Sequence, residues 1–198
     1  PRGGAMKQMC EGLVATAAEL AANGITTGVL AQCVSWEGGV RGPEYAANVF
    51  EAIRDTAPTL DTDIRAQLRL EMHLLDLYDD LPDRIREWGI DYVVFNDHLP
   101  HDRLSEGRRP PRLTGQALKA GRNPDDHFEM LLALHARKDE VPAALDRLCP
   151  RLAAMNVRMG SHDDYSAESR DTWHKRGAKI AEFPETVEAA EAAQSTGA

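Results

Sequence analysis

The sequence predicts an α/β fold in which helices cover a mostly parallel sheet. Short segments rich in β-branched and apolar residues alternate with helical segments along the chain, and this alternation is typical of parallel strands. Three predicted strands also end in polar motifs, LRLE at 68–71, FNDH at 95–98 and GSHDD at 160–164. Because parallel strands place their carboxyl ends on one edge of the sheet, we expect these three motifs to meet there and form a metal site. The alternative is that each is an ordinary polar strand end.

The first elements follow from their boundary residues. A helix at 8–22 is predicted to end at Asn23 and Gly24, because this pair forms a left-handed helix end. The β-branched run at 25–30 follows directly as a strand. Pro43 favours the first turn of a second helix, which ends before Pro58.

The strand predicted at 66–74 has one apolar and one polar face, because successive side chains of a strand point to opposite sides. Its polar positions are Gln67, Arg69, Glu71 and His73. In an open sheet between two helix layers this face would be buried at a high cost. We therefore expect it to face the lumen of a barrel, with an edge strand that has one wet face as the alternative.

The same signals assign the later elements: helix 81–88, strand 91–97, a pair of helices from 124 to about 154, strand 157–161, helix 166–176, strand 179–183 and helix 186–194. The predicted fold class is therefore α/β, a parallel-stranded partial (β/α)8 TIM barrel. A complete barrel takes about 250 residues, so we expect residues 1–198 to be the central part of one such domain. A basic loop and helical insertion would occupy about 101–155, and Pro1 to Gly4 read as the middle of a loop.

Composition narrows the functional class. The net charge is −9 and the isoelectric point about 5.2, which argues against general nucleic-acid or membrane-surface binding. The sequence has neither a membrane-spanning apolar run nor a signal-peptide pattern at its start. Three widely spaced cysteines predict reduced thiols. We expect a soluble, cytoplasmic protein that binds no nucleic acid and no membrane.

One stretch reverses the acidic balance. Residues 101–123 carry six basic and two acidic side chains, so an anion is expected to bind there. Arginine pairs well with phosphate oxygens, and the predicted substrate-binding residues are Arg103, Arg108, Arg109 and Arg112. The alternative is a solvated, mobile loop.

Six motifs are similar to those of a known family in both residues and order along the chain. They are the three polar motifs together with ANGITT at 22–27, VSWE at 34–37 and IAEFPETVEAA at 180–190. The sequence resembles the alpha-D-ribose 1-methylphosphonate 5-triphosphate diphosphatases of alkylphosphonate metabolism, members of the amidohydrolase superfamily. The resemblance covers nearly the whole chain. It implies a metal-dependent barrel hydrolase that releases pyrophosphate from a phosphorylated ribose, a ribosyl triphosphate with a phosphonate at C1.

The resemblance also implies a ligand set. Carried over by position, Glu71, His98 and His162 would bind a divalent metal ion; this donor set suits zinc, with manganese or iron as alternatives. Next to them, Asp97, Asp163 and Asp164 would orient an imidazole or else cap a helix.

The family's first-strand histidines and its last-strand aspartate, the expected base, have no counterpart in residues 1–198. We therefore expect this chain to be inactive alone and to form a homo-oligomer that covers exposed strand edges.

Two other functions remain open: a non-catalytic phosphate- or nucleotide-binding α/β domain, and an amidohydrolase that acts on a C–N bond. His73 is a less favoured ligand, and His101 is either a phosphate contact or a solvated loop residue. Packing roles are predicted for His127, His135 and His174, and Glu182 either faces the lumen or bonds neighbouring backbone.

Overall fold

Five strands form one parallel sheet in the computed structural model, which describes residues 8–198. In sheet order they are β1 Thr27–Val34, β2 Asp63–Glu71, β3 Tyr92–Asn96, β4 Arg158–His162 and β5 Ala178–Glu182. Every neighbouring pair is parallel. The predicted α/β class, with strands paired in sequence order, is confirmed. The predicted loop from Pro1 to Gly4 lies outside the described residues.

Helices return the chain to the same end of the sheet between consecutive strands, as parallel pairing requires. In the described part of the chain they are α1 Met9–Ala22, α2 Pro43–Thr56, α3 Leu81–Trp88, α4 His101–Ser105, α5 Leu113–Lys119, α6 Pro124–Ala136, α7 Val141–Ala154, α8 Ala167–Lys175 and α9 Val187–Thr196. Two of them, α4 and α5, lie where the sequence predicted a basic loop.

The helix-covered face of the sheet forms the main core. Leu68 and Leu70 of β2 are fully buried and belong to one cluster with Ile85 of α3, Leu145 of α7 and Trp173 of α8. Full burial of one such side chain contributes about 1.5 to 3 kcal/mol. The predicted apolar face of β2 therefore packs against the helices.

The predicted boundaries of β1 and β2 are wrong by several residues. Pairing runs from Thr27 opposite Asp63 to Val34 opposite Leu70, so β1 continues four residues beyond the predicted end at Leu30. Ala31 and Gln32 are weak strand formers, and they join β1 because β2 satisfies their backbone groups. Since β2 ends at Glu71, the segment 72–74 is not part of the strand.

The opposite face of the sheet carries polar contacts between distant strands. Glu182 at the end of β5 accepts hydrogen bonds from Gln67 Nε2 of β2 at 2.5 Å and from Tyr92 Oη of β3 at 2.7 Å. Burial and the hydrogen bond to Glu182 both raise the pKa of Tyr92. The Glu182 carboxylate therefore bonds side chains of β2 and β3 rather than neighbouring backbone.

Candidate metal centre

The three polar motifs lie at one edge of the sheet, where β2, β3 and β4 have their carboxyl ends. Glu71 pairs with Asn96, and Phe95 pairs with Ser161, so the residues that follow these strands lie side by side. Two groups of potential metal ligands form here among the described residues.

The first group consists of His98, His162 and Asp163, each of which offers one ligand atom within 4.8 Å of the others. Oδ2 of Asp163 lies 2.8 Å from Nδ1 of His162 and 3.6 Å from Nε2 of His98. The shorter contact is not aligned as a hydrogen bond, and within residues 8–198 the buried Nδ1 of His162 has no hydrogen-bond partner. A nitrogen and a carboxylate oxygen arranged in this way fit a shared cation.

Glu71 contacts the other side of the His98 ring. Its Oε1 contacts Nδ1 of His98, and its Oε2 accepts a hydrogen bond of 3.1 Å from the His98 backbone N–H. The hydrogen bond with Glu71 raises the pKa of His98 against the opposing effect of burial. The sequence predicted Glu71 as a direct ligand; the structure places it where a carboxylate orients a ligating imidazole and directs the opposite nitrogen outward.

Asp163 of this group and Phe183 beside it adopt left-handed backbone conformations. Asp163 has φ 59° and Phe183 has φ 55°, and the backbone N–H of Asp163 donates to the Glu182 carbonyl at 3.0 Å. Such a conformation is uncommon outside glycine and costs most for a bulky residue. The Phe183 ring centre lies 5.2 Å from that of His162, so this strained segment adjoins the candidate ligands.

Asp97 contacts two imidazoles, but neither belongs to His98 or His162, the predicted ligands. It belongs to the second group, in which its carboxylate contacts Nε2 of both His73 and His101. Nδ1 of His101 in turn lies 2.8 Å from Nδ1 of His135 on α6. Packing was the role predicted for His135, and a loop position for His101; the structure joins both to this group.

Asp164 has a structural role. Its carboxylate is buried and contacts Ser161 Oγ at 2.5 Å, Ser169 Oγ at 3.1 Å and Arg170 Nη1 at 3.2 Å. The alternative that Asp164 caps the next helix is wrong, because the side chain of Ser166 accepts the capping hydrogen bond of α8. Asp164 therefore anchors α8 to the sheet.

The four predicted substrate-binding arginines are exposed on the segment that contains α4 and α5. Arg108 pairs with Glu106 and Arg109 pairs with Asp125, both at 2.5 Å. A cavity of about 710 Å³ is lined by members of both ligand groups and by the cation Lys138. None of the four arginines is among the described residues that line this cavity.

No protein-family model, curated protein or solved structure matches this chain. Within residues 8–198 there is also no helix with the length and apolar character needed to cross a membrane. The geometry of the two ligand groups is therefore the basis on which a function is proposed.

Proposed function

We propose that this protein is a divalent-metal-dependent hydrolase in which His98, His162 and Asp163 bind the ion. The observation that carries the proposal is the convergence of their ligand atoms at the carboxyl ends of parallel strands. Their mixed nitrogen and oxygen donors suit zinc, with manganese or iron as alternatives.

The proposal includes a (β/α)8 barrel. Its support is the direct hydrogen bond between Gln67 and Glu182, which brings β2 and β5 together across the face that lacks the main helical core. Enzymes with this barrel place their active sites at the carboxyl ends of the strands. The two ligand groups lie at that end.

The side chains around the ion would have different roles. Glu71 holds Nδ1 of His98 and thereby directs Nε2 toward Asp163. When bound, the ion supplies Lewis-acid polarisation of a phosphoryl oxygen. Lys138, at the cavity, offers a positive charge to a polyphosphate.

As the family resemblance implies, the proposed substrate is a ribosyl triphosphate and the bond cleaved is a phosphoanhydride. Arg103, Arg108, Arg109 and Arg112 lie outside the cavity lining, and two of them are already paired with acids. A role for them in binding this substrate requires that those pairs open.

The test combines metal analysis with substrate comparison. Purified protein is dialysed against limiting zinc, and the expected result is a bound equivalent that His162→Gln removes and His174→Gln keeps, since His174 on α8 belongs to neither ligand group. The protein is then assayed for pyrophosphate release from a ribosyl triphosphate and for hydrolysis of cyclic amides. Absence of a His162-dependent ion favours the non-catalytic phosphate-binding domain, and cyclic-amide hydrolysis alone favours C–N chemistry.

A further inference from the structure

Three side chains near the first ligand group form a nearly regular triangle of donor atoms. Nε2 of His73, Nε2 of His101 and Oδ1 of Asp97 are each 3.2 Å from the other two. His73 lies in the segment after β2, Asp97 in the segment after β3 and His101 in the first turn of α4. The chain thus brings two imidazoles and one carboxylate to a single point.

The dimensions of this triangle match a metal site. A point about 0.9 Å above the centre of an equilateral triangle with edges of 3.2 Å lies about 2.1 Å from every corner, which is the distance at which zinc binds histidine nitrogen and carboxylate oxygen. Hydrogen bonds alone do not explain two imidazole nitrogens that approach both each other and the same oxygen, because each ring nitrogen carries at most one proton. One ion above the triangle satisfies all three donors.

Burial and contact fix the donor geometry at the same point. The Asp97 side chain is 30% exposed and contacts both imidazoles. His73 is 4% exposed, which restricts its ring to few orientations.

His135 supports the triangle from behind. Its Nδ1 lies 2.8 Å from Nδ1 of His101, on the opposite side of the ring from the Nε2 that faces His73 and Asp97. A partner on the second nitrogen fixes the tautomer and orientation of a ligating imidazole.

We propose that His73, Asp97 and His101 bind a second divalent transition-metal ion, with His135 as a positioning residue for His101. The donor set of two imidazoles and one carboxylate suits zinc. All three ligands line the cavity of about 710 Å³, so a water molecule or an anion can take the remaining coordination position. This site is separate from the one in the proposed function and does not depend on it.

The test counts ions in variants of the 198-residue chain, with zinc measured by elemental analysis and cobalt(II) by its visible absorption. The expected content is two equivalents in the unsubstituted protein, one in His101→Gln, one in His162→Gln and none in the double variant. Asp97→Asn, which keeps the shape of the side chain, is expected to weaken the same equivalent as His101→Gln by at least about 100-fold. His174→Gln is the matched control and retains both ions.

The two proposals fail in different ways. If His162→Gln removes the only ion and His101→Gln retains it, the second site is refuted and the proposed function stands. If the only ion depends on His101 and persists in His162→Gln, the second site stands and the first is refuted. His135→Gln is expected to keep the stoichiometry and weaken the second ion by about 10- to 100-fold; unchanged affinity would remove the positioning role.

Discussion

Gln67 and Glu182 are joined by a 2.5 Å hydrogen bond although β3 and β4 lie between their strands. Neighbouring strands are about 4.8 Å apart, so three strand intervals span roughly 14 Å in a flat sheet. Two side chains of this length cannot close that gap while they stand upright on a flat surface. The sheet must therefore curve toward the face that carries them.

The carboxylate of Glu182 stabilises this curvature. In Glu182→Ala, Gln67 and Tyr92 lose their shared acceptor, and the free energy of unfolding should fall by about 3 kcal/mol, because both donors bond a charged group. Urea denaturation measures this change. Glu182→Gln keeps an acceptor oxygen and should lose less. The exposed Glu185→Ala is the control; equal effects at the two positions would contradict the contact.

The buried pair of Asp164 and Arg170 gives a second prediction. Arg170→Met leaves a buried carboxylate without its cation and should destabilise the protein by about 3 to 5 kcal/mol. Further replacement of Asp164 by Asn should restore part of the loss. The exposed pair of Asp171 and Lys175 is the control, and Asp171→Asn should cost less than about 1 kcal/mol. Thermal and urea unfolding measure both pairs.

The sequence predicts most of the sheet because its signals are local. The alternation of Leu68 and Leu70 with Gln67 and Arg69 identifies the two faces of β2 without any knowledge of its neighbours. Strand ends depend instead on pairing. Ala31 and Gln32 have no strong strand preference of their own, and their register opposite Gln67 and Leu68 is a tertiary effect that a sequence pattern does not contain.

The candidate site is predictable only where its residues follow strands. His98 and His162 belong to the polar motifs and can be identified from the sequence. In contrast, His101 and His135 lie on separate helices, 34 positions apart, and meet only in the folded chain. Glu71 and His73 are two positions apart, so the sequence pattern places both on one face of a strand. The structure also brings His73 close to the site, but for a different reason, because β2 ends at Glu71 and His73 lies in the segment that follows.

Backbone strain at Phe183 leads to a third prediction. Because its φ is 55°, Phe183→Gly should be more stable than Phe183→Ala by about 1 kcal/mol, since glycine adopts this conformation without a side-chain clash. The exposed strand residue Lys179 has no positive φ and should show the reverse order, with glycine less stable than alanine by about 0.5 to 1 kcal/mol. The same order at both positions would argue against the left-handed conformation.

His127 predicts a dependence of stability on pH. It is fully buried, and burial, together with the nearby positive charge of Arg122, lowers its pKa. Below the unfolded pKa of about 6.5 the unfolded chain binds more protons than the folded one, so this contribution is complete above that pH and is lost as the pH falls. His127→Gln should flatten the decline of the unfolding free energy between about pH 7 and pH 5.

The control for this measurement is His174→Gln, which leaves the surroundings of His127 unchanged. Urea titrations at several pH values compare the unsubstituted protein with both variants. Parallel curves for the unsubstituted protein and His127→Gln would show that the buried imidazole takes up a proton as readily as an exposed one.

The order of the strands has a consequence for how the chain folds. Each pairing closes one loop, and the longest joins β3 to β4, where Val94 pairs with Gly160 across the residues of α4 to α7. The entropy of loop closure grows only with the logarithm of length, by about 0.6 kcal/mol for each doubling. Compared with the shorter closure of Ala31 on Gln67, this excursion adds less than one doubling. The chain can therefore bring His101 and His135 to the edge of the sheet at a closure cost that exceeds that of the shorter loop by less than about 0.6 kcal/mol.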